Sequence, residues 1–349
     1  MPPMELRKGS SDQSRQVSVL TYPEWGAPTV SFDEYREREV QFRASKFGQK
    51  LVTDYVLVPT TDPDTLDLRG YLEVFAQRCI LWPHTAPAPM FAEAFSVASL
   101  FTPETHRRQG YGAITLQAFL VREQFDYIVS NLYSDIGTKL YHANGWSPHP
   151  SDEIVLPADF DVSQTSTKAC AHVVVSAIDS MAALNAIAAR DQADMTAGLQ
   201  PGQVGFLLTA EYIAYFHAKY RYFATHRLGY CDLPTSYGLC VRDAATNALR
   251  GYVLWAHNFE DDQLDVLKYR AIGGDAFALI LPHLLSEARQ WKLASVGLWP
   301  TPAMELPFEI ARRRTPRSDS LSMLLVQAGA GRAPVTGLEW VANEKYLYA

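Results

Sequence analysis

Apolar and polar positions along the chain divide it into segments of distinct period. Residues 31–49 carry dense charge, with Phe32, Tyr35, Val40 and Phe47 at roughly helical spacing and Ser31 or Asp33 as a cap, which predicts a first helix. Residues 51–59 and 70–83 are rich in Val, Leu, Tyr and Ile and flank the turn cluster TTDPDTLD, the pattern of two antiparallel strands. A third strand over 95–101 leads through Thr102-Pro103-Glu104 and two glycines into a helical stretch over 111–124. A short strand over 127–132 and a helix over 134–143 follow, stopped by Gly145-Trp146-Ser147-Pro148. From 149 to 167 the composition shifts to Pro, Ser, Asp and Thr, as in an interdomain linker.

The second half repeats this element order without a direct sequence repeat. Strands are predicted over 172–178, 237–242, 250–256, 263–271 and 295–299, and helices over 180–190 and 275–291. The aromatic cluster over 212–223 has helical spacing and reads as core or interface. The expected fold is α/β (α+β), a mostly antiparallel sheet flanked by helices and followed by a second, similar domain. The expected division is a flexible tail over 1–16, a first domain over 17–157, a linker over 158–164 and a second domain over 165–349.

Composition then narrows the function. With 349 residues, 48% hydrophobic and 20% charged, the chain is globular rather than disordered. A net charge of −7 is the wrong sign for a nucleic-acid or anionic-membrane binder, so neither is an expected partner. No apolar run reaches the length of a membrane span. Neither a secretory signal nor a transit peptide opens the chain, and Cys79, Cys170, Cys231 and Cys240 form no C-x-x-C pair, which suggests a reducing, cytoplasmic setting. The nine histidines show no ligand spacing, so no metal is expected.

The sharpest chemical feature is Arg107-Arg108-Gln109-Gly110-Tyr111-Gly112, an R-x-x-G-x-G between a strand and a helix. Glycines there turn the backbone tightly, and amides at a helix start face an anion that the helix dipole also favours. Taken alone the pattern is equally that of a plain strand-to-helix turn, and it has neither the Lys-Ser/Thr of a P-loop nor the first glycine of a dinucleotide fingerprint. Glu73 is a lone charge in the apolar run Leu72-Glu73-Val74-Phe75, either a cleft carboxylate or a side chain turned to water. Arg312-Arg313-Arg314 reads as a solvated loop or as a helper in binding a carboxylate or phosphates.

About thirty residues past the glycine loop, Tyr141 lies four residues before Gly145-Trp146. Together these segments resemble the GNAT acetyltransferase superfamily. Phe101-Thr102-Pro103-Glu104, Leu132-Tyr133-Ser134-Asp135-Ile136-Gly137 and Glu339-Trp340-Val341-Ala342-Asn343-Glu344-Lys345 look like the fungal lysine N6-acetyltransferase family. That resemblance implies acetyl transfer from acetyl-CoA to the side-chain amine of free L-lysine, as in lysine degradation. It implies that Arg107, Arg108, Gln109, Gly110, Tyr111 and Gly112 hold the pyrophosphate. Phe101 and Thr102 would pair with the pantetheine arm, Asp135 would belong to the cofactor site, and Tyr141 would protonate the departing thiolate. Many relatives have glycine where this chain has Arg108, so a left-handed backbone there would be strained. For the proton-accepting carboxylate the resemblance offers Glu73 and, as competitor, the terminal carboxylate of Ala349, because the aromatic-rich end is expected to dock. Acetylation of a polyamine or a protein lysine, and a non-catalytic acyl-CoA sensor or partner-binding protein, are the alternative readings.

Overall fold

The computed structural model describes residues 2–122, 126–164, 172–272, 276–329 and 332–348. In chain order its elements are β1 (Met4–Lys8), α1 (Ser11–Trp25), α2 (Phe32–Ala44), α3 (Lys46–Leu51), β2 (Val52–Pro59), β3 (Gly70–Trp82), β4 (Met90–Phe101), α4 (Tyr111–Arg122), β5 (Ile128–Ser134) and α5 (Lys139–Ala143). There follow β6 (Ser147–Pro148), β7 (Asp152–Pro157), β8 (Val173–Ile178), α6 (Met181–Gly198), β9 (Gln203–Phe206), α7 (Ala210–Leu228), β10 (Gly238–Asp243), β11 (Leu249–Asn258) and β12 (Gln263–Ala271). The chain closes with α8 (Ala276–Gln290), β13 (Ser295–Leu298), α9 (Phe308–Ala311), β14 (Thr315–Pro316), β15 (Leu321–Gln327) and β16 (Glu339–Trp340).

These strands form two mixed, mostly antiparallel sheets flanked by helices. One has the order β1-β2-β3-β4-β5-β15-β6, with β9 joining β3 and β16 joining β9; the other has the order β14-β7-β13-β12-β11-β10-β8. Helix α4 packs Leu116 and Phe119 against Leu57, Leu72 and Phe95 of the first sheet. Helix α8 places Phe277, Ile280, Leu281 and Leu284 on one face, the i, i+3, i+4, i+7 stripe that buries it on the second sheet. On α7, Tyr212, Ile213, Phe216 and Tyr220 enter the core shared with β3, β9 and β11, as the aromatic spacing predicted.

Several local signals act as read. Ser31 caps α2 in a reciprocal box with Glu34, and the helix expected over 180–190 forms as α6, with Ser180 as its cap rather than its first turn. The single helix predicted over 31–49 is instead two, because Ser45 adopts extended φ/ψ and its hydroxyl caps α3. The tail expected over 1–16 is corrected: β1 pairs antiparallel with β2 from Met4↔Pro59 to Lys8↔Tyr55, and α1 starts at a capping box on Ser10.

The expected linker also carries structure. Strand β7 pairs with β13 of the second sheet, and Ile154, Leu156, Ala158 and Phe160, alternating residues, are buried in its core. In exchange, β15 returns from near the C-terminus to lie antiparallel to β5 of the first sheet, Leu321↔Ser134 to Gln327↔Ile128. The two halves therefore trade strands rather than being joined by a plain linker over 158–164. The segment from β16 onward docks, as its apolar composition predicted: Trp340, Tyr346 and Leu347 are buried. There the carboxylate of Glu344 pairs with the buried Lys268 and accepts the Tyr269 amide at 2.8 Å, and Lys345 reaches Asp265 at 2.6 Å.

Candidate active site

Strands β4 and β5 run parallel, but their pairing covers only Ala94↔Val129, Phe95↔Ser130 and Ser96↔Asn131. Beyond Ser96 they separate. The cause lies on the other side of β4, where Tyr71 pairs with Phe101 but Glu73 pairs with Ala98, so β4 carries one extra residue. Ser99 in this bulge has φ +53°, a left-handed conformation that bends the strand. The splay leaves the β5-facing edge of residues 97–101 without strand partners, and it opens a cleft of about 800 Å³. Such an edge can pair with an extended ligand as a strand would.

At one end of the cleft, Phe101 and Thr102 lead into the glycine loop and α4. Gly110 has φ +82°, and Arg108 has φ +61°, the strained conformation foreseen for a non-glycine residue at that position. A Cβ built on Gly112 would lie 3.8 Å from both Leu140 and Thr102, so the bare backbone faces the cleft with room for a ligand. Arg107 donates to the Thr102 carbonyl at 3.1 Å and forms an ion pair with Glu24 of α1, so its charge is already matched within the protein. Arg108 and Gln109 are exposed, whereas Tyr111 is buried at the head of α4.

Across the splay, α5 presents Tyr141. Its ring packs edge-on to Trp146 at 6.5 Å, and its hydroxyl has no hydrogen-bond partner among the described residues. Burial, helped by the Asp135 carboxylate, pushes its pKa up to about 12, so at neutral pH it is a proton donor. Asp135 lines the cleft too, but its carboxylate accepts the Ser320 amide at 2.9 Å and so straps the end of β5 to the loop before β15. At the floor, Ser96 donates to the amide oxygen of Asn131, itself fully buried, at 2.6 Å.

Glu73 faces the cleft, not water. Its carboxylate accepts from Ser99 Oγ at 2.5 Å and from Arg43 Nη2 at 3.3 Å. Burial and the nearby Glu39 charge raise its pKa above the ordinary carboxyl range, with Arg43, Ser99 and Tyr71 opposing. Arg43 is itself held by an ion pair to Asp54 and by Glu39 at 3.6 Å. The sequence reading missed Arg43, Ser99 and Glu39, because a helix residue, a strand bulge and a second carboxylate become one cluster only through tertiary packing.

Helix α1 forms part of the cleft wall with Val17, Thr21 and Trp25, and Tyr215 and Lys219 of α7 approach from the second half. So do Leu347 and Tyr348, which brings the docked C-terminal segment to the cleft; Ala349 itself lies outside the described residues, as does Cys170. The arginine triplet is elsewhere: Arg312 pairs with Glu309, Arg313 stacks over Phe160 and Arg314 approaches Asp152 at 3.8 Å. Among the described residues there is no cluster able to hold a metal, and no helix is long and apolar enough to cross a membrane.

A splayed parallel pair, a glycine loop at the start of the following helix and a second sheet of related order define the GNAT fold in tandem. Solved structures agree. A GCN5-related N-acetyltransferase from Kribbella flavida superposes with a TM-score of 0.57 at 13% identity, over 93% of this chain and 71% of that one. One from Anabaena variabilis gives 0.55 at 15% identity, over 93% and 72%. A tandem GNAT protein from the clavulanic acid biosynthesis pathway gives 0.50 at 13% identity, over 94% and 99%. Residues 160–349 match the model of the LYC1 GNAT-like C-terminal domain, and the chain belongs to that family. No curated protein matches it.

Proposed function

We propose that this protein is an N-acetyltransferase that moves the acetyl group of acetyl-CoA to the Nε amine of free L-lysine. The observation that carries the reading is one cleft that gathers an open strand edge, a glycine loop at a helix start, a protonated tyrosine and a carboxylate of raised pKa. The family match and the tandem fold support it.

The residues fit acetyl-CoA chemically. The unpaired edge of β4 suits an amide-bearing arm, and the amides around Gly110 and Gly112 at the start of α4 suit a pyrophosphate. When bound, the thioester supplies the activated acetyl group. An alkyl ammonium has an ordinary pKa near 10.4 and must lose a proton before it can act as a nucleophile. Glu73 takes that proton: Ser99 and Arg43 hold its two oxygens at the cleft, where a carboxylate with two lone pairs on each oxygen can accept from the amine. Tyr141 gives its proton to the leaving sulfur. A sensor would need the loop and the edge but has no use for a proton donor and acceptor in the same cleft.

Thiol release from acetyl-CoA, measured with a panel of free amino acids, polyamines and lysine-containing peptides, tests this assignment. Free lysine is expected to give the highest kcat/KM. Binding of acetyl-CoA without turnover of any amine would make the protein a sensor, and preference for a polyamine or peptide would move the acceptor class.

The loop has its own prediction. In Gly112→Val the new side chain projects toward the cleft, where only ordinary contacts to Leu140 and Thr102 await it. The variant is expected to lose about tenfold or more in acetyl-CoA affinity, the worth of one charge-assisted hydrogen bond, while its ligand-free melting temperature moves little. Unchanged affinity in the folded variant would remove the phosphate role from this loop.

A further inference from the structure

The end of the cleft formed by the second half holds two side chains of opposite charge that the transfer chemistry leaves unused. Lys219 of α7 is half-buried and makes no hydrogen bond or ion pair among the described residues; its ammonium lies 5.7 Å from the centre of the Tyr348 ring. Burial, together with Arg38 and Lys345, pulls its pKa below the ordinary lysine value, against the opposing charges of Glu260 and Asp265. Arg38, by contrast, is paired with Glu39 at 2.9 Å. Glu260, in the turn between β11 and β12, is exposed at the cleft and likewise makes no hydrogen bond or ion pair among the described residues. The two charges are close enough to influence one another but do not form an ion pair.

A half-buried lysine with an aromatic ring beside it but no ion pair among the described residues costs stability that methionine at the same helix position would not. What such a pair complements is a head group with a carboxylate and an ammonium on one carbon. We propose that Lys219 binds the α-carboxylate and Glu260 the α-ammonium of an amino-acid acceptor whose side-chain amine lies at Glu73. The spacing suits lysine. Tyr215, which lies in the field of Glu73, precedes Lys219 by four residues, about 6 Å along the helix axis. Five bonds separate Nε from Cα in lysine, a span of about 6 Å when extended. Lys219 is then a specificity-determining residue, and the inference rests on the free-lysine reading above.

The test compares Lys219→Met with the parent on three amines: L-lysine, 6-aminohexanoate, which lacks the α-ammonium, and 1,5-diaminopentane, which lacks the carboxylate. An amine that is not turned over is measured as a competitive inhibitor against lysine. The variant is expected to lose tenfold or more in apparent affinity for lysine and for 6-aminohexanoate, with kcat for lysine retained and 1,5-diaminopentane not weakened. Lys219→Arg should restore much of the affinity for both carboxylates. Glu260→Gln should weaken lysine and leave 6-aminohexanoate unchanged. Equal losses on all three amines, or no loss on any, in variants that bind acetyl-CoA and melt like the parent, would overturn the Lys219 assignment and leave the lysine reading standing. A parent enzyme that turns over 1,5-diaminopentane and neither carboxylate-bearing amine would overturn both.

Discussion

Tyr141→Phe is expected to lower kcat with acetyl-CoA and lysine by about 10- to 1,000-fold while leaving acetyl-CoA affinity within about twofold. The ring stays, so its edge-on contact with Trp146 stays, and the hydroxyl gives up no hydrogen bond to a described residue. What is lost is the proton donor. Because burial lifts the Tyr141 pKa to about 12, the phenol is protonated throughout the neutral range and can hand its proton to a sulfur that gains charge only as the thioester bond breaks. Interactions of that kind appear in kcat and not in ground-state binding. A variant as fast as the parent removes Tyr141 from the chemistry; a structural tyrosine would show itself instead as a lower melting temperature.

The second large effect is expected at Glu73. Glu73→Gln keeps the shape and leaves Arg43 its partners Asp54 and Glu39, so the cleft should hold while turnover falls by about 100-fold or more. The pH profile adds a signature that simple loss of rate does not. A base works only when deprotonated, and the Glu73 pKa is raised, so parent activity is present above that raised value and is lost as pH falls through it, at a higher pH than for an exposed carboxylate. In the variant that acidic limb should vanish, leaving a slow rate that rises only as the substrate amine itself deprotonates. The competing carboxylate is that of Ala349. Residues appended after Ala349 displace it and leave Glu73 intact, so a fast Glu73→Gln enzyme beside an inactive, folded and acetyl-CoA-binding extended enzyme would exchange the two roles.

Features written locally in the sequence were legible before the fold was known. The Ser31 cap, the stripe of α8 and the strand, loop and helix around Gly110 and Gly112 are decided by neighbours a few residues away. Other features are decided by partners far along the chain. Strand β15 finds β5 nearly two hundred residues earlier, and β1 is a short charged strand given meaning only by β2. Strand β7 carried a readable signal, Ile154, Leu156, Ala158 and Phe160 in alternation, but its prolines and aspartates resemble a linker when composition is weighed over period.

The site divides in the same way. The phosphate loop and Tyr141 carry motif spacing, and Glu73 stood out as a charge among apolar neighbours. Arg43, Ser99, Lys219 and Glu260 come from a helix, a bulge, a second helix and a turn, and no spacing in the sequence links them. Ser99 in particular holds a left-handed backbone without being glycine, which sequence alone does not announce, whereas the resemblance pointed to that conformation at Arg108.

The most direct measurement of the central claim is the structure of the product. L-lysine labelled with ¹⁵N at Nε, incubated with acetyl-CoA and the protein, should acquire an amide N–H resonance on the labelled nitrogen at the rate at which CoA thiol appears, and Tyr141→Phe and Glu73→Gln should slow both signals together. An acetyl group found on Nα, or acetyl-CoA bound in the cleft with no amide formed on lysine, would contradict it.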